Sequence, residues 1–248
     1  MSGFGFTKDG RISMKNSTNK LSIVIITKNE EKFIGDAVKS SLFADEVLIL
    51  DSGSIDKTCQ IAESLGAKVL QQEWLGFGPQ KNRAVEISSN DWVFVLDSDE
   101  RITKELQKEI LNTLHNPVDE GYFVARLNKF WGKDIKTCGL YPDYSLRLFN
   151  KNFGRFNDVS VHESVQLNSK PGHLKNHMIH LAYDSIDEFV QKQNRYSTLN
   201  HKKRNIFKAI INPYWTFFNI TVWLMNFWKT AYWQIVSLFY TFFLIGLN

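Results

Sequence analysis

The sequence has few cysteines and little excess charge, and these shortages exclude several protein classes. Only Cys59 and Cys138 occur among 248 residues, and they form no CxxC pair, so we expect a reducing compartment, no disulfide framework and no structural zinc site. The first twenty residues lack the apolar core of a signal peptide, and we predict that residues 1–20 form a flexible leader. The net charge of +4 is too small to indicate a nucleic-acid partner, and we expect none. The chain shows no internal repeat.

Four short apolar runs, rich in β-branched residues, recur along the first half of the chain. Runs of this kind are typical of strands that are buried on both faces of a parallel sheet. Helix-start and helix-stop signals separate them. This alternation predicts an α/β fold with a mostly parallel, Rossmann-like sheet flanked by helices. The predicted strands are 21–26, 47–50, 68–70 and 92–96. From Gly121 onward, aromatic β-like segments replace the alternation, and a further helix is predicted from Ile186.

Capping residues place the ends of the predicted helices. We expect Asn29 to cap the first helix, with acidic residues in its opening turn. Ser54 is expected to cap the second helix, which Gly66 ends, and Thr103 starts the fourth. The third helix is predicted near residues 80–88.

Polar residues follow the predicted strands at the sheet edge where ligands bind in such folds. Asp97 and Asp99 come directly after the fourth apolar run. In an extended segment, side chains two positions apart point the same way, so both carboxylates are expected to face one point. Two hard oxygen ligands suit Mg²⁺ or Mn²⁺, completed by waters and substrate phosphates. The alternative is an ordinary acidic turn.

Two further carboxylates are candidates for chemistry. Asp51 follows the second apolar run, where it could accept hydrogen bonds from a base or ribose, or could simply stabilise its own turn. Glu163 shares the parity of Val159 and Val161 on an extended segment, which could anchor it at the edge of a pocket. A transfer to a hydroxyl group needs one base to accept the proton, and Glu163 is the candidate. Its alternative is a surface carboxylate.

Several segments of the chain resemble the family 2 glycosyltransferases of the GT-A fold. They are Ile25-Ile-Thr-Lys-Asn-Glu-Glu, Leu50-Asp-Ser-Gly-Ser-Ile-Asp-Lys-Thr and Val95-Leu-Asp-Ser-Asp-Glu. Within that family the chain most resembles bacterial lipopolysaccharide-core β-1,4-glucosyltransferases, which share three further segments. These are Trp74-Leu-Gly-Phe-Gly-Pro-Gln-Lys-Asn, Tyr141-Pro-Asp-Tyr-Ser-Leu-Arg-Leu-Phe and Val161-His-Glu. The resemblance covers about residues 21–205, which we predict to be the catalytic domain.

The resemblance implies roles for individual residues. Thr27 and Asp51 would hold the nucleobase and ribose of a nucleoside-diphosphate sugar, and Asp97 and Asp99 would hold the metal and, through it, the diphosphate. Glu163 would be the base, although His162 stands where many members have a glutamate. The expected substrate-binding residues are Thr27, Asn29, Asp51, Lys81, Asn82, Asp97, Arg147, Lys192 and Arg195.

Lys192, Arg195 and His180 could each have a structural role instead of a functional one. Arg147, Lys192 and Arg195 are candidates for phosphate contacts, but Lys192 and Arg195 could equally form a solvated helix face. His180 could complete a metal shell, although we expect a hydrogen-bonded structural histidine.

The last forty residues differ from the rest in composition. Residues 207–248 contain 14 of the 34 aromatic residues, and a basic cluster precedes them at 202–208. Polar residues recur there at spacings of three, four or seven, which predicts an apolar helical tail over 206–248. A helix over 213–246 would be about 50 Å long, against about 30 Å for the bilayer core, so lying in the membrane interface fits better than spanning it. The alternative is packing against the catalytic domain or a homo-oligomer contact through the tail.

These features together predict an inverting, metal-dependent glycosyltransferase. We expect it to transfer a hexose, glucose by resemblance, from a UDP-sugar to a hydroxyl of a lipopolysaccharide-core or related glycolipid sugar. It would act in the cytoplasm as a peripheral or monotopic protein on the inner face of the membrane. Two alternatives stay open, a sugar-phosphate nucleotidyltransferase and a non-catalytic membrane adaptor on the same fold. The segment after the first apolar run lacks the glycines that a nucleotidyltransferase usually carries there.

Overall fold

The structure is a computed structural model that describes residues 19–130, 132–136, 141–157 and 163–183. The predictions for the leader, for Lys192 and Arg195, for the helix from Ile186 and for the apolar tail lie outside these residues. Within the described ranges, no helix combines the length and the apolar character that crossing a membrane requires.

Strands and helices alternate in the first half of the chain, as the apolar runs predict. The second half is formed by strands. The strands are β1 (Leu21–Thr27), β2 (Glu46–Asp51), β3 (Lys68–Gln71), β4 (Trp92–Asp97), β5 (Glu100–Ile102), β6 (Gly121–Phe130), β7 (Lys133–Asp134), β8 (Asp143–Asn150), β9 (Gly154–Phe156), β10 (Val165–Leu167) and β11 (Gly172–Tyr183). The helices are α1 (Ile34–Ser41), α2 (Thr58–Ser64), α3 (Phe77–Ile87) and α4 (Lys104–His115).

Nine of the described strands form one mixed sheet, in the order β3-β2-β1-β4-β8-β6-β11-β5, with β7 paired to β6. The four predicted strands lie side by side and are parallel, which confirms the α/β prediction. Beyond β4 the sheet continues with β8, which is antiparallel to both β4 and β6. β5 follows β4 after only two residues, yet it pairs with β11 three strands away, so the sheet curls.

Burial on both faces explains why the central strands are almost entirely apolar. Every residue of β1 is buried, and β2 and β4 are buried over nearly their whole length. Alternate side chains enter two separate cores, one against α1 and α4 and the other against α3. Apart from Ser22 in β1 and Glu46 at the start of β2, the polar residues of these strands are their last ones, so the sheet presents polar groups at its carboxyl edge.

The predicted helix ends at Gly66 and Thr103 are confirmed. Thr103 is the N-cap of α4, and its hydroxyl oxygen accepts a hydrogen bond from Leu106 N at 3.2 Å. After α2, Gly66 has a φ of 88°, and its amide and that of Ala67 close the helix by bonding to Glu63 O and Ala62 O.

The two other predicted caps are wrong. α1 begins at Ile34, several residues after Asn29, and α2 begins at Thr58 rather than after Ser54. The physical reason is that both polar side chains bond across to each other's loop instead of to the helix that follows them. Asn29 N donates to Ser54 Oγ at 2.8 Å, and Ile55 N donates to Asn29 Oδ1 at 2.8 Å.

Candidate active site

Three of the predicted site residues meet at the carboxyl edge of the sheet. Thr27 ends β1, Asp51 ends β2 and Asp97 ends β4. In the register of the sheet, Thr27 is paired with Asp51, and its neighbour Ile26 is paired with Asp97. Parallel pairing therefore places these polar groups side by side.

Lys81 joins Asp97 to the candidate base Glu163. Its ammonium nitrogen lies 3.0 Å from Asp97 Oδ1 and 2.7 Å from Glu163 Oε1. The Lys81 side chain is only 6% exposed. Burial would lower the pKa of Lys81, but the charges of Asp97 and Glu163 outweigh burial and raise that pKa. One lysine thus bridges two carboxylates that are 66 positions apart in the sequence.

Arg147 pairs with two carboxylates of the site, and its role as a phosphate contact stays a prediction. Its Nη2 atom lies 2.9 Å from Asp97 Oδ2 and 2.6 Å from Glu100 Oε1, and the side chain is buried. Burial alone would raise the pKa of Asp97, but Arg147 and then Lys81 overcome it and hold that pKa far below its usual range. Arg147 therefore serves to keep Asp97, whose side chain is 30% exposed, ionised.

Glu100 is a site residue that the sequence analysis missed. It is fully buried, accepts a hydrogen bond from Asp97 N at 3.0 Å and pairs with Arg147. Burial raises the pKa of Glu100, and the nearby charge of Arg147 opposes that shift. Arg126 lies 3.6 Å from the same carboxylate and pairs with Asp143 at 2.6 Å. The sequence pattern that could have indicated its burial is the alternation of a strand, in which Glu100 lies on the same face as the buried Ile102.

The expectation that Asp97 and Asp99 point the same way is wrong. β4 ends at Asp97, and Ser98 and Asp99 form a turn before β5, so the alternation of an extended strand does not apply. Asp97 faces Lys81 and Arg147, whereas Asp99 Oδ2 lies 3.4 Å from His180 Nε2. The sequence motif therefore supplies two carboxylates with different partners.

Asp99 and His180 form a close carboxylate–imidazole pair. His180 Nδ1 lies 2.7 Å from Asn128 Oδ1, a contact that favours the tautomer in which Nδ1 donates. In a neutral ring, Nε2 then presents its lone pair toward Asp99, an arrangement that a divalent cation between them would satisfy. Within the described residues, no group of three histidine, cysteine or acidic side chains could hold a metal.

Asp51 is buried and organises its own turn. Asp51 Oδ2 accepts hydrogen bonds from Gly53 N and Ser54 N at 2.8 Å each, and Asp51 Oδ1 accepts one from the Ser54 hydroxyl. Beside it, the Thr27 hydroxyl is buried and has no hydrogen-bond partner among the described residues. Leaving such a hydroxyl unsatisfied costs about 1–3 kcal/mol, so a bound polar group there would be stabilised.

Gln80, Lys81 and Asn82 are consecutive buried residues of α3, and each contacts a different part of the site. Gln80 donates to Ser52 Oγ at 3.0 Å, while Lys81 reaches Asp97 and Glu163. Both ends of the Asn82 amide bond to the backbone of Phe156, Nδ2 to its carbonyl at 2.9 Å and Oδ1 to its amide at 2.8 Å. These contacts give Asn82 a structural role, and the nucleotide contact that the resemblance implies stays a prediction.

The fold is one that binds nucleotide sugars in other proteins. An S. aureus TarS fragment (residues 1–349) solved in complex with UDP-GlcNAc superposes with a TM-score of 0.51 at 20% identity, over 67% of this chain and 59% of that one. At that identity the similarity concerns the fold alone.

The sequence comparison identifies the family. Residues 22–164 match the model of glycosyl transferase family 2, and the chain belongs to that family. An uncharacterized glycosyltransferase of Rickettsia bellii is 37% identical over 73% of this chain, and the match spans 66% of that protein. LpsC of Rhizobium meliloti, a lipopolysaccharide core biosynthesis glycosyltransferase, is 32% identical over 78% of this chain and 77% of its own.

Proposed function

We propose that this chain transfers a hexose from a UDP-sugar to a hydroxyl of a lipopolysaccharide-core or related glycolipid sugar, with inversion at the anomeric carbon. The acceptor oxygen forms the new bond to the anomeric carbon as the bond to the diphosphate breaks. The hydroxyl proton passes to a carboxylate, and UDP leaves with the electron pair of the broken bond. The observation that carries the proposal is the position of Glu163, which contacts the same Lys81 ammonium group as Asp97 at the sheet edge.

Glu163 is the proposed base. It is half-buried beside the carboxyl edge, and Lys81 holds its carboxylate toward Asp97. An inverting transfer needs only one base, which must be within hydrogen-bond reach of the attacking hydroxyl. A second carboxylate acting as a nucleophile is not required, and Asp97 is engaged by two cations.

The cations at the site support binding of an anionic leaving group. A divalent metal, Mg²⁺ or Mn²⁺, would supply charge neutralisation for the diphosphate, and we propose that Asp99 and His180, 3.4 Å apart, would help to hold it. Asp97 contributes to the same edge through its ion pairs with Lys81 and Arg147. Lys81 is the cation that lies nearest both carboxylates and is proposed to contact the diphosphate.

The donor nucleoside is proposed to bind beside β1 and β2. The unsatisfied Thr27 hydroxyl and the turn formed by Asp51 and Asn29 lie at that end of the sheet. The fold similarity to TarS, which was solved with UDP-GlcNAc, supports a uridine diphosphate donor. The identity of the sugar as glucose rests on the sequence resemblance.

The acceptor class and location are proposed from the named relative. LpsC is a lipopolysaccharide core biosynthesis glycosyltransferase, and its match covers most of both chains. A glycolipid acceptor would place this protein on the inner face of the cytoplasmic membrane. The basic cluster at 202–208 and the apolar tail would then bring the domain to the lipid surface.

A product assay tests the reaction class. Purified protein is incubated with UDP-glucose, Mn²⁺ and lipopolysaccharide-core acceptor, and UDP and pyrophosphate are measured separately. We expect acceptor-dependent release of UDP, reduced by about a hundredfold or more in Glu163→Gln. Pyrophosphate release with UTP and sugar phosphate would instead identify a nucleotidyltransferase. Turnover unchanged in Glu163→Gln would remove the proposed base.

A further inference from the structure

A chain of short contacts connects helix α3 to Glu163 without passing through residues 158–162, which lie outside the described ranges. It begins at Asn82, whose side-chain amide pairs with the Phe156 backbone through hydrogen bonds of 2.9 and 2.8 Å. It ends at Lys81, the preceding residue of α3, whose ammonium group contacts the Glu163 carboxylate. The segment that carries Glu163 is therefore held by two adjacent residues of one helix.

The intermediate step is a second reciprocal contact. Asn157 follows Phe156 directly, and its side chain bonds to both the backbone and the side chain of Ser164. Ser164 N donates to Asn157 Oδ1 at 3.2 Å, and Asn157 Nδ2 donates to Ser164 Oγ at 3.1 Å. The backbone adds Asn157 N to Ser164 O at 3.0 Å. Because Glu163 directly precedes Ser164, these contacts fix the backbone position from which the Glu163 side chain extends.

The buried contact between Asn82 and the Phe156 backbone requires a side-chain amide at position 82. Asn82 is 5% exposed, and its side chain offers a donor and an acceptor in the geometry of a peptide group. It thereby bonds the N–H and the C=O of Phe156 at once. Phe156 also lies under the Lys81 ammonium group, with 5.7 Å between the nitrogen and the ring centroid. A residue lacking either half of the amide would leave a buried backbone group without its partner.

We propose that Asn82 and Asn157 are positioning residues for the base, which set the place of Glu163 through Phe156 and Ser164. In this proposal neither residue needs to touch the substrate. This inference rests on the proposed function, because it takes Glu163 as the group that accepts the acceptor proton. It assigns Asn82 to the catalytic step and not to nucleotide binding.

Measurements of kcat and of UDP affinity distinguish a role in positioning the base from a role in nucleotide binding. In Asn82→Ala and in Asn157→Ala, we expect kcat to fall by about tenfold or more, since a misplacement of about 1 Å at a reacting group has effects of this size. UDP affinity, measured by calorimetry with Mn²⁺, is expected to stay within about twofold of the wild-type value, because the nucleoside end is unaltered. Arg83→Ala is the matched control, as Arg83 is the next residue of α3 and is exposed.

A double-mutant cycle distinguishes positioning from a general loss of structure. In the Glu163→Gln background, where the base is absent, Asn82→Ala and Asn157→Ala should each change the residual kcat by less than about twofold. Full additivity of the two losses would overturn the proposal, as would a UDP affinity weakened tenfold by Asn82→Ala. If Asn82→Ala does not fold, Asn157→Ala, at a half-buried loop position, carries the test alone.

The outcomes also separate this inference from the proposed function. A Glu163→Gln enzyme with full turnover removes the base itself. A Glu163→Gln enzyme without turnover, beside unaffected Asn82→Ala and Asn157→Ala enzymes, leaves the base in place and removes only the positioning roles.

Discussion

Arg147 and Glu100 form a buried ion pair at the centre of the site, with Arg147 Nη2 at 2.6 Å from Glu100 Oε1. The Glu100 side chain has no exposed surface, and that of Arg147 is 4% exposed. Neither ion could be buried alone, because transfer of an isolated charge from water is far too costly. The pair therefore fixes the end of β4, and with it the position of Asp97.

Removing the negative charge of Glu100 should strongly destabilise the fold. We expect Glu100→Gln to lower the free energy of unfolding by about 3 kcal/mol, because it leaves Arg147 short of a counter-charge. The measurement is urea denaturation at neutral pH. Glu105→Gln, at an exposed position in the first turn of α4, is the control and should change stability by less than about 0.5 kcal/mol. Equal effects of the two substitutions would show that the buried pair does not stabilise the fold.

Metal binding should depend on Asp99 and His180. Loss of an outer-shell partner alone lowers metal affinity by about 10–100-fold, so Asp99→Asn or His180→Ala should weaken Mn²⁺-supported UDP binding by at least about tenfold. Calorimetric titration of UDP with and without Mn²⁺ measures this. His173→Ala is the control, because His173 stacks on Phe123 at the other end of the same strand. Unchanged Mn²⁺ dependence in both site variants would remove the metal from this pair.

Stability should depend on pH through Glu46. Burial raises the pKa of this carboxyl, but hydrogen bonds from Ser22 and Ser89 outweigh burial and lower it below the ordinary value of 4.5. A lowered folded-state pKa gives a stabilisation that is complete above the unfolded-state pKa and is lost as the pH falls through the folded-state pKa.

Glu46→Gln is the corresponding test. It should cost about 1 kcal/mol at pH 7, and the difference from the wild type should shrink toward pH 3. Thermal unfolding across that range measures it, with the exposed Glu63→Gln as control. A difference that stays constant with pH would show that the Glu46 charge does not contribute.

Membrane association should depend on the tail. Deleting residues 207–248 should abolish co-sedimentation with anionic liposomes, because the apolar aromatic segment is removed. Neutralising the basic cluster at 202–208 should weaken binding by about 1 kcal/mol for each charge and remove its salt dependence. Continued co-sedimentation of the deletion variant would place the membrane contact elsewhere.

The strands of the parallel half could be predicted because their apolar residues are compatible with few structures other than a buried strand. A run such as 21–26 is apolar except for Ser22, and only burial on both faces satisfies it. Thr103 was predictable for a similar reason, since its hydroxyl caps the helix immediately after it. In both cases the deciding interactions are local.

The electrostatic partners in the site could not be predicted, because they come from distant parts of the chain. Arg147 is 47 positions from Glu100, and Lys81 is 82 positions from Glu163. Asn29 shows the same limit on a smaller scale. Its φ of 56° and its bond to the loop after β2 depend on a residue 26 positions away, so its local pattern pointed to a helix cap instead.

The pairing of β5 with β11 determines when the chain can bring Asp99 and His180 together. The turn at Asp99 is anchored on its far side by Leu181 N, which donates to Asp99 O at 2.9 Å. During synthesis, Asp97, Asp99 and Glu163 all emerge from the ribosome before β11 does, yet β5 has no strand to pair with until Met178–His180 arrive. A nascent chain stopped short of residue 172 would therefore contain the acidic motif and the proposed base but neither His180 nor the pairing that fixes Asp99.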